Sequence, residues 1–189
     1  MLELVVGLLL FLGTHSISIF AEDFRDRMAA RSEIGWKAVY GLLSLVGIVL
    51  IVRGYADARL DTAMLYATPI WLRHVAALLM LPVFGLFFAP YFPGRIKTAA
   101  KHPQLVAVKL WALAHLLVNG TVADVVLFGA FLAWAVVDRI SMKRRAPRAV
   151  IGAPPSGKND VILVVLGLAA YVAFALWLHA AWIGVAPFA

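Results

Sequence analysis

The sequence predicts an all-α polytopic membrane bundle of six transmembrane helices, with both termini on the non-cytoplasmic side. Three observations carry that prediction. First, 63% of the 189 residues are hydrophobic and only 14% are charged, against about half and a quarter in an ordinary soluble domain. A water-soluble fold of this composition lacks the charge to cover its surface, which excludes a soluble enzyme, a disordered chain and a nucleic-acid module. Second, the apolar residues gather into stretches near the roughly 20 needed to cross a bilayer. Third, the basic residues fall almost wholly on alternate connections. The length bounds the chain to one domain, 1–189. Cysteine is absent, so disulfides, thiolate metal sites, cysteine nucleophiles and cysteine lipidation are excluded together.

Taken in order, the predicted spans are Leu2–Ala21, Ile34–Val52, Ile70–Pro90, Pro103–Asn119, Val122–Val137 and Val161–Val185. The first lacks a basic leader and a small-residue cleavage site, and Arg25, Arg27 and Arg31 follow it. It is therefore expected to be a retained helix, not a signal peptide. The fourth opens on Pro103, suited to a first helical turn because its missing N–H would be unpaired there anyway. Asn119-Gly120 is a turn signal that makes the fourth and fifth spans a tight helical hairpin.

Connections after spans one, three and five hold fourteen of the seventeen Lys and Arg; the other side holds only Arg53, Arg59 and Arg73. By the positive-inside rule the basic side is cytoplasmic. The net charge of +7 is then a topology signal and an attraction to anionic lipid, not a nucleic-acid footprint. Residues 142–160 combine Lys143, Arg144, Arg145 and Arg148 with Pro147, Pro154, Pro155, Gly152 and Gly157. They read as the one real loop, a mobile basic cytoplasmic linker.

Ionisable residues inside a bilayer are the informative ones. All five histidines (His15, His74, His102, His115 and His179) lie in or at the ends of predicted spans, and no acidic residue lies deep in one. Asp124 and Asp138 flank the fifth helix. At 1.5 Å per residue, His15 lies roughly 9 Å and His115 roughly 18 Å from the cytoplasmic ends of their helices. His74, His102 and His179 come near the boundaries, where water and headgroups can satisfy them. A buried imidazole can also be satisfied by Thr14, Ser16, Ser18 or backbone carbonyls, so His15 and His115 stand between satisfied core residues and ligands. Two imidazoles on separate helices without carboxylate or thiolate suit haem iron, where the porphyrin supplies four nitrogens. Phe11, Trp111, Val108 and Asn119 fall at helical spacing from them and could wall a haem, as they could any bundle interior. Arg73 on the outer side, or Arg95, Lys101 and Lys109 on the inner, could meet the propionates. The run Trp71-Leu72-Arg73-His74 serves equally as an interfacial anchor.

The segment His102-Pro103-Gln104-Leu105, followed by Lys109-Leu110-Trp111-Ala112-Leu113-Ala114-His115-Leu116-Leu117-Val118-Asn119-Gly120, resembles the central signature of the NnrU family of bacterial membrane proteins. Gly13-Thr14-His15-Ser16 resembles that family's amino-terminal signature, and Trp71-Leu72-Arg73-His74 and Leu178-His179 also fit. The resemblance spans essentially the whole chain. It implies a bacterial inner-membrane location and an association with denitrification. It also implies kinship with the plant 15-cis-zeta-carotene isomerase, which uses haem b. On that kinship His15 and His115 would be the axial ligands and His102 would have a supporting role. A cysteine ligand switch has no residue to use here, since Ala112 stands one turn before His115.

Three functions compete on this reading. One is a haem b protein whose iron does redox chemistry or binds a diatomic gas such as nitric oxide, with His15 and His115 essential for haem and His179 dispensable. The second is a haem-dependent isomerase of a carotenoid-like polyene. The third is a haem-free assembly factor for a respiratory reductase, acting through its basic loops. A channel or transporter is weaker, because no acidic ring, discontinuous helix pair or through-going polar stripe stands out.

Overall fold

The computed structural model describes residues 1–146, 148 and 150–188; Pro147 of the basic linker lies outside them. The described residues form ten α-helices, one π-helical segment and no sheet, only an isolated bridge between Met64 and Thr121. Three helices are long and apolar enough to cross a membrane: Leu2–Phe20 (α1), Glu33–Ala58 (α3) and the continuous Lys158–Ile183. Two shorter apolar segments, Leu72–Phe88 and Pro103–Val118, correspond to the third and fourth predicted spans. The helix Val122–Ser141 (α8) is 20 residues long but carries Asp124, Asp138 and Arg139.

Several boundaries differ from the sequence expectation, each for a physical reason. The charged stretch after α1 is itself a helix, Glu22–Arg31 (α2), with Glu22 and Asp23 at its start and Arg31 in its last turn, the polarity the helix dipole favours. Ser32 then caps α3, its hydroxyl accepting from the Gly35 amide at 3.0 Å. α3 runs to Ala58, six residues past the expected end, and at roughly 39 Å outreaches the hydrocarbon core. The third span breaks into Leu72–Met80 (α4) and Val83–Phe88 (α5). Pro82 lies at the break, because its ring offers no N–H and clashes with the carbonyl four residues back. A short helix Arg95–Ala100 (α6) precedes Pro103–Val118 (α7). The last span is α9 (Lys158–Ala173), a π-helical turn over Phe174–Leu178, and α10 (His179–Ile183).

α1 and α3 pair antiparallel and pack so closely that glycine is required. A Cβ on Gly7 would sit 2.6 Å from the Ile51 backbone nitrogen, and one on Gly47 would sit 2.9 Å from Phe11. Gly167 does the same for α9 against α5, where its Cβ would sit 2.8 Å from the Gly85 backbone. α7 and α8 form the expected hairpin, closed by a capping box in which Thr121 and Asp124 satisfy each other's amides. The core shared by α1, α3, α7 and α8 is Leu4, Leu8, Ile51, Ala58, Ala112, Ala123, Leu127 and Phe128. Large apolar side chains elsewhere remain bare, Leu9 at 71% and Leu78 at 70% among them, as lipid-facing positions do.

The linker is not the only irregular connection, nor is it free. Residues 59–71 run without helix across the hairpin: Leu65 and Tyr66 amides donate to the Gly120 carbonyl, and the Leu116 and Asn119 carbonyls share the one Tyr66 hydroxyl proton at 2.5 and 2.9 Å. Residues 150–160 fold back on 91–96. Ala153 donates to Tyr91, Ser156 to Pro93, and buried Asn159 to both Pro93 and Pro154, while Asp160 accepts the Arg95 and Ile96 amides at 3.0 Å each. Arg145 pairs with buried Asp138, and Arg148 bridges Glu22 and Asp26 at 2.9 and 3.2 Å. A run of cations alone looks solvated; the partners of Arg148 lie more than a hundred residues away in α2.

Candidate functional site

Two helices carry the same device. In α1 an aromatic residue, Phe11, precedes His15 by one turn, and in α7 Trp111 precedes His115 by one turn. Each histidine Nδ1 lies 2.8 Å from the carbonyl oxygen of that aromatic residue. A carbonyl only accepts, so Nδ1 carries the proton and Nε2 keeps its lone pair. This is the arrangement in which a ligating histidine is held by its other nitrogen. His179 repeats it with a different partner, Nδ1 lying 2.6 Å from the Val185 carbonyl.

α8 joins the two devices through aromatic residues three apart. Phe131 meets Phe11 at 5.7 Å and Trp111 at 5.4 Å. Trp134 meets His15 edge-on at 5.9 Å, and Phe128 stacks on His115 at 4.6 Å. Six residues of α8 separate those two contacts, roughly 9 Å along the axis. His15 is thus caged by Phe11 at 4.2 Å, Tyr40 at 5.1 Å and Trp134. A second near-parallel neighbour of the His115 ring is that of His179, 6.5 Å away and 21° from parallel. His179 follows the π-helical turn directly; such turns are rare and frequent at functional sites.

The other expected site residues distribute as follows. Phe11 and Trp111 join the aromatic chain. Asn119 caps α7, its amide donating to the His115 carbonyl at 2.8 Å. His102 stands at the opposite end of α7, 13 residues from His115, so it shares no site with it. Its imidazole is pushed below the usual histidine range by desolvation and then by the Arg139 charge. The Gln104 side chain donates to the Phe87 carbonyl at 3.3 Å, so α4–α5 runs antiparallel to α7 and Arg73 comes at the His115 end. His74, beside it, opens α4.

Among the described residues no three His, Cys, Asp or Glu side chains gather to hold a metal ion. A fully protein-ligated metal of zinc type has no donor set there. Haem needs only one or two axial nitrogens, and the bare Nε2 atoms meet that need. The His115 and His179 rings are neighbours, so these two imidazoles could serve one bound group. His15, one aromatic cage away, offers a single nitrogen. The buried Trp134 indole N–H beside it has no acceptor among the described residues.

The family is decided by a match along the sequence: the model of the NnrU protein family covers residues 3–187. The chain belongs to the NnrU family. No curated protein and no solved structure matches it. Three features of this NnrU chain escaped the sequence reading. The aromatic triplet Phe128, Phe131 and Trp134 was visible as an i, i+3, i+6 pattern on the fifth span. Tyr55, whose hydroxyl donates to Asp124 at 2.6 Å, gave no signal in its own helix. His179 was set aside for its place near a helix end; its turn of π-helix has no sequence mark.

A groove of about 800 Å³ lies elsewhere, between α1 and α8. Its lining runs along α1 from Val5 to Ala21 and is apolar save for Ser16 and Trp134. None of the histidines lines it; Trp134 stands between it and His15.

Proposed function

We propose that this NnrU protein is a haem b-binding protein of the bacterial inner membrane that serves redox or nitric-oxide chemistry in nitrogen-oxide respiration. The observation that carries the reading is the common fixing of His15, His115 and His179 by Nδ1–H to a backbone carbonyl, with Nε2 bare in each. Haem bound there would supply a one-electron couple or a binding place for a diatomic gas. The chain's own part is to fix the imidazole tautomer, to wall the site with Trp111, Phe128 and Phe174, and to exclude water. His115 is the ligand on which the sequence resemblance and the geometry agree. For a second ligand, kinship with the plant isomerase favours His15, whereas adjacency to His115 favours His179, whose ring centroid lies 6.5 Å away. Alanine variants at the three positions separate these arrangements: haem content falls in His115→Ala and in whichever variant removes the second ligand. Normal haem content in all three would end the reading.

Six spans with both termini outward belong to the same reading: α8 has the length of a span, α4–α5 and α7 are apolar, and the basic connections favour the cytoplasmic side. The cysteine-free chain allows a direct test. Single cysteines at Ala146 and at Leu2 should be labelled from opposite sides of the membrane; labelling from one side would refute the topology.

A second reading, isomerisation of a polyene, draws on the apolar groove. Its lining spans sixteen residues of α1, roughly 24 Å, the form of a long unsaturated chain. Conversion of a cis polyene by the haem-loaded protein supports it, and no conversion above background removes it.

A further inference from the structure

A second cavity, of about 270 Å³, lies where the end of α1, α2, the start of α3 and the basic linker meet. Its lining is Ser18, Arg25, Trp36, Lys37, Tyr40 and Arg148. Every charged residue of that lining is a cation. The carboxylates that pair with them (Asp26 with Arg25, Glu33 with Lys37, Glu22 and Asp26 with Arg148) do not line the cavity. Lys37 uses one of its three N–H donors on Glu33, and Arg25 one of its five on Asp26. Donors therefore remain for an anion. The Ser18 hydroxyl, 3.5 Å from an Arg148 nitrogen, completes a rim from four separate segments.

We propose that this cavity is a binding site for a phosphate group, carried by an anionic phospholipid of the membrane. The depth fits that source. Ser18 lies two residues before the end of apolar α1, and Trp36 and Tyr40 lie in the first two turns of α3. That is the level at which aromatic side chains meet headgroups and at which lysine and arginine attract anionic lipid. The guanidinium and ammonium groups offer charge-assisted hydrogen bonds to phosphate oxygens, and Trp36 and Tyr40, with rings 6.1 Å apart, offer an apolar wall to the glycerol and upper acyl chain. Occupancy would tie α2 and the linker to α3 at one point.

The experiment uses full-length protein in a maltoside detergent, titrated with dihexanoyl-phosphatidylglycerol, dihexanoyl-phosphatidylcholine and inorganic phosphate. Binding is read by native mass spectrometry and by the shift in melting temperature. Phosphatidylglycerol should bind at least about tenfold more tightly than phosphatidylcholine. Lys37→Gln and Arg25→Gln should each weaken it about fivefold, and Lys97→Gln, outside the cavity, should not. Circular dichroism of each variant checks that it is folded. Inorganic phosphate binding as tightly as the lipid would keep the phosphate site and place its source in solution. Equal binding of the two lipids without phosphate binding, or wild-type binding by both folded variants, would overturn the proposal.

Discussion

Removing the Asp124 carboxylate should loosen the end of the molecule that holds His115. Asp124 is buried, at 5% exposure. It accepts three hydrogen bonds: from the Tyr55 hydroxyl at 2.6 Å, the Thr121 amide at 2.9 Å and the Thr121 hydroxyl at 2.7 Å. It thereby ties α3 to the start of α8 and closes the hairpin with α7. Asp124→Ala strands the half-buried Tyr55 hydroxyl and Thr121 amide, at up to about 1–3 kcal/mol for each orphan. The Thr121 hydroxyl can rotate to another acceptor and adds little. The sum is about 2–6 kcal/mol, roughly 4–24 °C of melting temperature for a chain of this size. Asp124→Asn keeps the acceptor for Tyr55 and turns an amide donor toward Thr121, so its loss is smaller. Tyr55→Phe removes one bond and strands no donor, so its loss is the smallest. Thermal unfolding of detergent-purified protein, followed by circular dichroism at 222 nm, gives the order. An alanine variant no less stable than Tyr55→Phe, or within about 2 °C of wild type, would refute the reasoning.

Other outcomes follow from the same structure. Gly7→Leu should cost about 1–3 kcal/mol or more, because its Cβ meets the backbone of Leu50 and Ile51, which cannot rotate away. Gly129→Ala, with nothing within 4 Å of the added atom, should be neutral or slightly stabilising in the same melting assay. The Asp26 carboxyl is held below its ordinary value by hydrogen bonding to Arg25 and by the Arg148 charge. A depressed carboxyl contributes stability above its unfolded value and loses it as pH falls through the folded one. The Arg148 clasp should therefore hold at neutral pH and weaken below about pH 4. Hydrogen exchange around Arg148, corrected for intrinsic rates, should show that loss of protection. Asp26→Asn should show the weakened state already at pH 7; an unchanged variant would contradict it.

The helices were legible because apolar run length is a direct consequence of bilayer thickness and survives without tertiary context. Pro82 was equally legible as a breaker, yet the third span was carried through it; local steric rules outweigh hydropathy at a single residue. α2 looked like a charged connection, since its stability comes from end charges and the Arg148 clasp, not from an apolar stripe. Burial depth singled out His15 and His115, and both are indeed fixed by backbone carbonyls. The same arithmetic, roughly 9 Å against roughly 18 Å from one membrane face, already set them at different levels. What brings His179 to His115 is a π-helical turn and the packing of the last span, and neither leaves a periodicity to read. The cation cavity was invisible for the same reason: its four contributing segments meet only in three dimensions.

The central claim is tested most directly by the absorption spectrum of the detergent-purified protein, oxidised and dithionite-reduced, with a pyridine haemochrome assay. The account predicts a Soret band with sharp reduced α and β bands, the pattern of low-spin haem b held by two imidazoles, and its loss in His115→Ala. A protein that is colourless as purified and stays colourless after haem is added would contradict it.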